Sequence, residues 1–142
     1  MAMEPQPESN PLAETRLDGR SILILEDEYL IAMDVEQSCV EYGAREVTIL
    51  RSLDQLRGQP LDRLRFDAAI IDLRLGGEST TLFAGELAKR KIPFVFATGM
   101  TDVDGLAEGF PGVPVIGKPY SGDELVRVLA ALIERSRSSC SA

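Results

Sequence analysis

Residues 66–77 read Phe-Asp-Ala-Ala-Ile-Ile-Asp-Leu-Arg-Leu-Gly-Gly: an apolar run reaches a single carboxylate without alternation, and a glycine pair follows. An apolar run of strand length with no polar alternation has to be covered on both faces, which is the condition of a strand inside a parallel sheet. Asp72 then stands at the carboxyl end of that strand, the edge along which open α/β sheets build their sites. The pattern recurs along the chain. Ser21–Leu25 ends in Glu26-Asp27-Glu28, Pro93–Ala97 ends in Thr98-Gly99, and the brief run Pro114–Ile116 ends in Gly117-Lys118-Pro119. Glu46–Leu50 supplies the remaining strand.

Helical spacing fills the intervals. A helix is expected over Glu28–Tyr42, with Ile31, Val35, Ser38, Cys39 and Tyr42 on one stripe and Gly43 as the residue that ends it. Ser52 is placed to cap a weak helix that Gly58 and Pro60 interrupt. A third helix is predicted from Thr80 to Lys91. Between Met100 and Gly112 the chain carries Gly105, Gly109 and Pro111, so any helix there is short and marginal. Ser121 and Glu124 form a capping box for the last helix, whose stripe is Leu125, Val128, Leu129, Leu132 and Ile133.

Strands alternating with helices in this way predict an α/β fold: a doubly wound (βα)5, flavodoxin-like parallel sheet in the order 2-1-3-4-5. Residues 1–20, with Pro5, Pro7 and Pro11 among polar neighbours, read as a disordered N-terminal arm. The folded domain is expected over 21–137, and 138–142 as a flexible tail.

Composition narrows the chemistry. A net charge of −8 argues against a nucleic-acid surface, which needs a clustered basic face. No segment approaches the roughly eighteen apolar residues of a membrane span, and no signal peptide opens the chain, so a cytoplasmic location is expected. The sequence has no histidine, which removes imidazole acid–base chemistry and the commonest zinc ligand. Cys39 and Cys140 have no metal spacing and no disulfide framework. Cys39 falls on the apolar side of its helix and reads as a small core residue.

In the expected strand order, Glu26-Asp27, Asp72, Thr98 and Lys118 all open onto one edge of the sheet. Carboxylates brought together without a cation repel one another. A hard divalent ion such as Mg²⁺ removes that conflict, taking oxygen ligands from one or two carboxylates and from phosphate. A threonine hydroxyl and a mobile lysine suit phosphate oxygens. Together these groups describe a phosphoryl-transfer site in which an aspartate accepts the group. Each has a plainer reading: acids opening a helix, a turn aspartate, a packed threonine, a surface lysine. Their coincidence at the ends of successive strands favours a working site.

With these residues in view, the sequence resembles a response-regulator receiver domain, the phosphoacceptor half of a two-component system. The resemblance covers about residues 20–137. It rests on Leu25-Glu26-Asp27-Glu28, Ile71-Asp72-Leu73, Ala97-Thr98-Gly99 and Lys118-Pro119. It implies that Asp72 is phosphorylated by a histidine kinase and that Glu26, Asp27, Asp72 and the Arg74 carbonyl hold Mg²⁺. Thr98 and Lys118 are then phosphate contacts. Phe96-Ala97-Thr98-Gly99-Met100 is similar to the FATGUY subgroup, although Thr101 replaces its tyrosine, and this implies a kinase of the HWE or related class. Val115 stands where receivers usually carry the aromatic that swings inward, so the usual Thr–aromatic switch is not expected. A receiver without an output domain would signal through protein contacts, with a phosphotransfer protein or downstream effector, or act as a phosphate sink. The face from Tyr29 to Glu36 is the expected kinase contact.

Two other classes share parts of the pattern. An Mg²⁺-dependent, aspartate-nucleophile phosphatase of the haloacid-dehalogenase type needs a second acid two residues after the nucleophile, where this chain has Arg74. An FMN-binding flavodoxin-like module needs a hydroxyl-rich phosphate loop after the first strand, where this chain has acids.

Overall fold

Successive residues of a strand point to opposite faces, so an unbroken apolar run needs a core on each side. The computed structural model describes residues 16–57, 65–99, 109–117 and 121–141, the last five by backbone alone, and it contains both cores. Strands β1 (Ser21–Leu25), β2 (Glu46–Leu50), β3 (Ala68–Asp72), β6 (Phe94–Thr98) and β7 (Val115–Gly117) form one parallel sheet, in the order β2-β1-β3-β6-β7. Counted as principal strands, this is the predicted 2-1-3-4-5. On one face, Ile22, Ile24, Ile70 and Val95 pack against α1 (Tyr29–Glu41) and α4 (Gly122–Ser141). On the other, Leu23, Leu25, Ile71 and Phe96 pack against α2 (Leu53–Arg57) and α3 (Thr81–Lys89). Phe94, Phe96 and Phe110 add edge-to-face ring contacts with centroids 5.2–6.0 Å apart. A buried side chain of this size contributes about 1.5–3 kcal/mol, so the strands that carry the site are also those that hold the fold together.

Gly43 ends α1 as expected. Its φ is 93°, its N–H donates to the Val40 carbonyl at 3.0 Å, and the Ala44 N–H donates to Cys39 at 3.0 Å, the paired bonds of a Schellman ending. Cys39 is fully buried, and that burial, with Glu36 nearby, pushes its thiol up to about 12. It is a protonated core residue, as its position on the stripe implied. Cys140 lies among the residues described by backbone alone.

The structure revises three boundaries and adds one element. Residues 16–20 are not part of a loose arm: Leu17 is fully buried in the α1–α4 core, and its N–H donates to the Tyr42 carbonyl at 2.8 Å. A lone leucine between polar residues carries no periodic signal, which is why the sequence hides it. The helix α3 stops at Lys89, because Lys91 adopts φ 60° and turns the chain. The helix α4 runs to Ser141 rather than stopping at 137, since no glycine or proline interrupts it. The segment after Asp72 is a two-stranded antiparallel hairpin, β4 (Arg74–Leu75) with β5 (Glu78–Ser79), which the glycine pair alone did not announce. Most of the segment 100–112, read as marginal helix, lies outside the described residues. No described helix is long and apolar enough to cross a membrane.

Candidate functional site

The register of the sheet places the predicted residues side by side. Leu25 pairs with Ile71, so Glu26 follows β1 at the level of Asp72, the last residue of β3. Asp72 in turn pairs with Ala97, which puts Thr98 one step beyond it, and Thr98 pairs with Gly117. Glu26, Asp72 and Thr98 are 3%, 6% and 1% exposed, so polar groups are concentrated where the sheet is otherwise apolar. Burying such groups is costly unless partners are supplied.

The carboxylates of Glu26, Asp27 and Asp72 each offer an oxygen within 4.8 Å of the others. Like charges this close raise one another's energy, and a divalent cation among oxygen donors relieves it. The donor set fits a hard cation: among the described residues the group consists of carboxylate oxygens alone, two of the three carboxylates being withdrawn from solvent. Such an acidic group could hold Mg²⁺.

Backbone amides organise the trio. The Arg74 N–H donates to Asp72 Oδ1 at 3.2 Å, the Gly76 N–H to Asp27 Oδ2 at 2.9 Å, and the Glu28 N–H to Glu26 Oε2 at 3.0 Å. Thr80 is buried and its hydroxyl lies 2.8 Å from the Asp72 carbonyl and 3.0 Å from the Leu73 carbonyl, fixing the end of β3. Arg51 reaches across from the end of β2, donating to the Asp27 carbonyl at 3.2 Å while its guanidinium lies 5.7 Å from the Tyr29 ring centroid. Sequence reading missed Gly76, Thr80 and Arg51. The glycine pair was the one available signal, because two glycines before a polar strand mark a turn that needs positive φ.

Of the predicted site residues, the structure brings Glu26, Asp27, Asp72 and Thr98 to one edge. Arg74 is exposed on the hairpin, its guanidinium 3.5 Å from the Gly77 carbonyl, and its N–H faces Asp72. Lys118 and Pro119 lie outside the described residues, as does Thr101. Val115 is half-buried, on β7 opposite Phe96, beside the core that Phe110 and Val113 also line.

Solved structures place this architecture. Response regulator DrrB of Thermotoga maritima, an OmpR/PhoB homologue, superposes with a TM-score of 0.69 at 16% identity, over 82% of this chain and 54% of its own. Response regulator PhyR of Brucella abortus gives 0.66 at 24% identity, over 91% of this chain and 54% of its own. The receiver domain of Francisella response regulator 1452 gives 0.68 at 20% identity, over 83% of this chain and 99% of its own. The chain thus spans about half the length of DrrB and of PhyR, and nearly all of the Francisella receiver domain. No protein-family model and no curated protein sequence matches it. The fold is that of the response-regulator receiver domain.

Proposed function

We propose that this chain is a phosphoacceptor that takes a phosphoryl group onto Asp72 from a histidine kinase or a phosphotransfer protein. The observation that carries this reading is the convergence of Glu26, Asp27 and Asp72 within 4.8 Å, at the carboxyl edge of a receiver-type sheet. Glu26, Asp27, Asp72 and the Arg74 carbonyl would hold Mg²⁺, which supplies positive charge against the phosphoryl oxygens. An Asp72 carboxylate oxygen attacks phosphorus as the bond to the donor's leaving atom breaks. The product is an acyl phosphate, and the leaving group departs with the electron pair. The Thr98 hydroxyl donates to one phosphoryl oxygen and Lys118 neutralises another.

The donor would dock along the start of α1, where Tyr29, Leu30 and Met33 are 58%, 79% and 42% exposed. Asp34 is less suited to that role than the sequence implied, because its carboxylate accepts the Gly122 N–H at 2.6 Å and joins α1 to α4. We assign the donor to the HWE or a related kinase class on the Phe96–Met100 motif. The phosphorylated form then acts as an adaptor, a relay intermediate or a phosphate sink. No observation favours the phosphatase or the FMN reading: Arg74 holds the place of the second acid, and acids line the end of β1.

The test is incubation with Mg²⁺ and acetyl phosphate, followed by intact mass. Wild type is expected to gain one phosphoryl group and Asp72→Ala none. Equal gain by both, or a wild type that accepts nothing even from a kinase, would overturn the reading.

A further inference from the structure

The hairpin after Asp72 is built to a demanding geometry. Its two-residue turn is Gly76–Gly77, with φ of 60° and 86°, the left-handed values that a type I′ turn requires at both central positions. From this one hairpin come two of the amides that reach the acidic trio, Gly76 to Asp27 Oδ2 and Arg74 to Asp72 Oδ1. Its base is anchored by buried Thr80, whose N–H donates to the Leu73 carbonyl at 3.0 Å. Leu75 is buried between exposed Arg74 and Gly76, and Glu78 pairs with Arg57 of α2 at 3.2 Å. The hairpin is therefore held at its base by Thr80 and in its middle by Leu75, with the exposed Glu78–Arg57 pair adding little.

A carboxylate has about four lone-pair sites, so one amide on Oδ2 fixes the side chain and leaves capacity for a cation. Groups that hydrogen-bond a ligating carboxylate orient it, and losing one costs about 10–100-fold in metal affinity. We propose that the β4–β5 hairpin is the positioning element of the acidic site. The Gly76 amide sets the Asp27 side chain before a divalent cation arrives, and the hairpin's turn geometry governs how tightly that cation is held. This rests on the reading that Glu26, Asp27 and Asp72 are the metal-binding groups.

The test can be made clean, because a Cβ placed at Gly76 would meet nothing within 4 Å. A substitution there acts through the backbone and not by collision. Asparagine tolerates the left-handed region, whereas a β-branched residue does not. Mg²⁺ affinity is measured by isothermal titration calorimetry on wild type, Gly76→Asn and Gly76→Val, with metal-free melting curves to establish folding. The asparagine variant is expected within about twofold of wild type and the valine variant about tenfold weaker or more. A folded Gly76→Val that binds Mg²⁺ as tightly as wild type overturns the hairpin's role alone. A wild type that binds no Mg²⁺ overturns the metal-site reading and the proposal with it. Should the valine variant not fold, hydrogen exchange of the Gly76 amide decides in metal-free protein. Asp27→Ala is expected to speed exchange over wild type by removing the acceptor, and equal rates overturn the proposal.

Discussion

Two aspartates bracket strand β3, and their surroundings could hardly differ more. Asp67, just before the strand, accepts the Ser21 N–H on Oδ2 at 2.8 Å and donates its own N–H to the Ser21 carbonyl at 2.7 Å. It closes the ladder between β1 and β3 at the amino edge. Its charge meets a backbone donor and is spent on the fold. Asp72, at the far end of the same strand, is buried and has the carboxylates of Glu26 and Asp27 within 4.8 Å. A sequence reader sees one residue type at both ends of one apolar run. Each carboxylate accepts a backbone N–H, Asp67 from Ser21 and Asp72 from Arg74; what sets Asp72 apart is that two further carboxylates share its place, a crowding that a cation relieves.

The largest expected effect splits the pair outright. Asp72→Ala should bring phosphoryl uptake from acetyl phosphate to background, while Asp67→Ala should leave the rate within about twofold and cost about 1 kcal/mol of stability by urea unfolding. Loss of uptake in both variants would erase the distinction. Metal comes next. Mg²⁺ at about a hundred times its dissociation constant should stabilise wild type by about 2.7 kcal/mol. Asp67→Ala should keep that increment and Glu26→Ala should lose most of it, as read from melting curves.

Burial alone is separated from function by Cys39. Its thiol is raised from an ordinary 9.0 to about 12, first by burial and then by Glu36. The folded value lies above the unfolded one, so the fold favours the neutral thiol. Its contribution is whole below pH 9 and is lost as pH climbs toward 12. The urea midpoint of wild type should fall through that window, and Cys39→Ala should flatten the decline; identical profiles would contradict it. The smallest effect belongs to Glu78→Gln. Both members of the Arg57–Glu78 pair are more than half exposed, so stability should change by less than about 0.5 kcal/mol. A larger loss would mean that α2 supports the site as well as the hairpin does.

What could be read from the chain follows the same physics. Unbroken apolar runs made β1, β3 and β6 legible, because a strand covered on both faces cannot be written any other way in sequence. Their order brought Glu26, Asp27, Asp72 and Thr98 to one edge. Gly43 and the Ser121 cap were equally plain; the Glu124 N–H indeed donates to Ser121 Oγ at 3.0 Å. Features that depend on a single contact were hidden. Leu17 is one apolar residue with no period to reveal it, Thr80 looks like any helix-capping threonine, and the Gly76 amide is a backbone group whose acceptor lies 49 residues away. Asp34 falls within the face expected to meet a kinase, and its sequence neighbours give no sign that its carboxylate accepts the Gly122 N–H, 88 residues away.

The claim that Asp72 is the acceptor is tested most directly by locating the phosphoryl group. Acyl phosphates are reduced by borohydride to the alcohol, so a phosphorylated aspartate leaves a homoserine that peptide mass spectrometry can place. Wild type treated with Mg²⁺ and acetyl phosphate, then borohydride, is expected to carry homoserine at position 72 and nowhere else. Homoserine at Asp27, Asp67 or any other aspartate, with position 72 unchanged, would contradict the account.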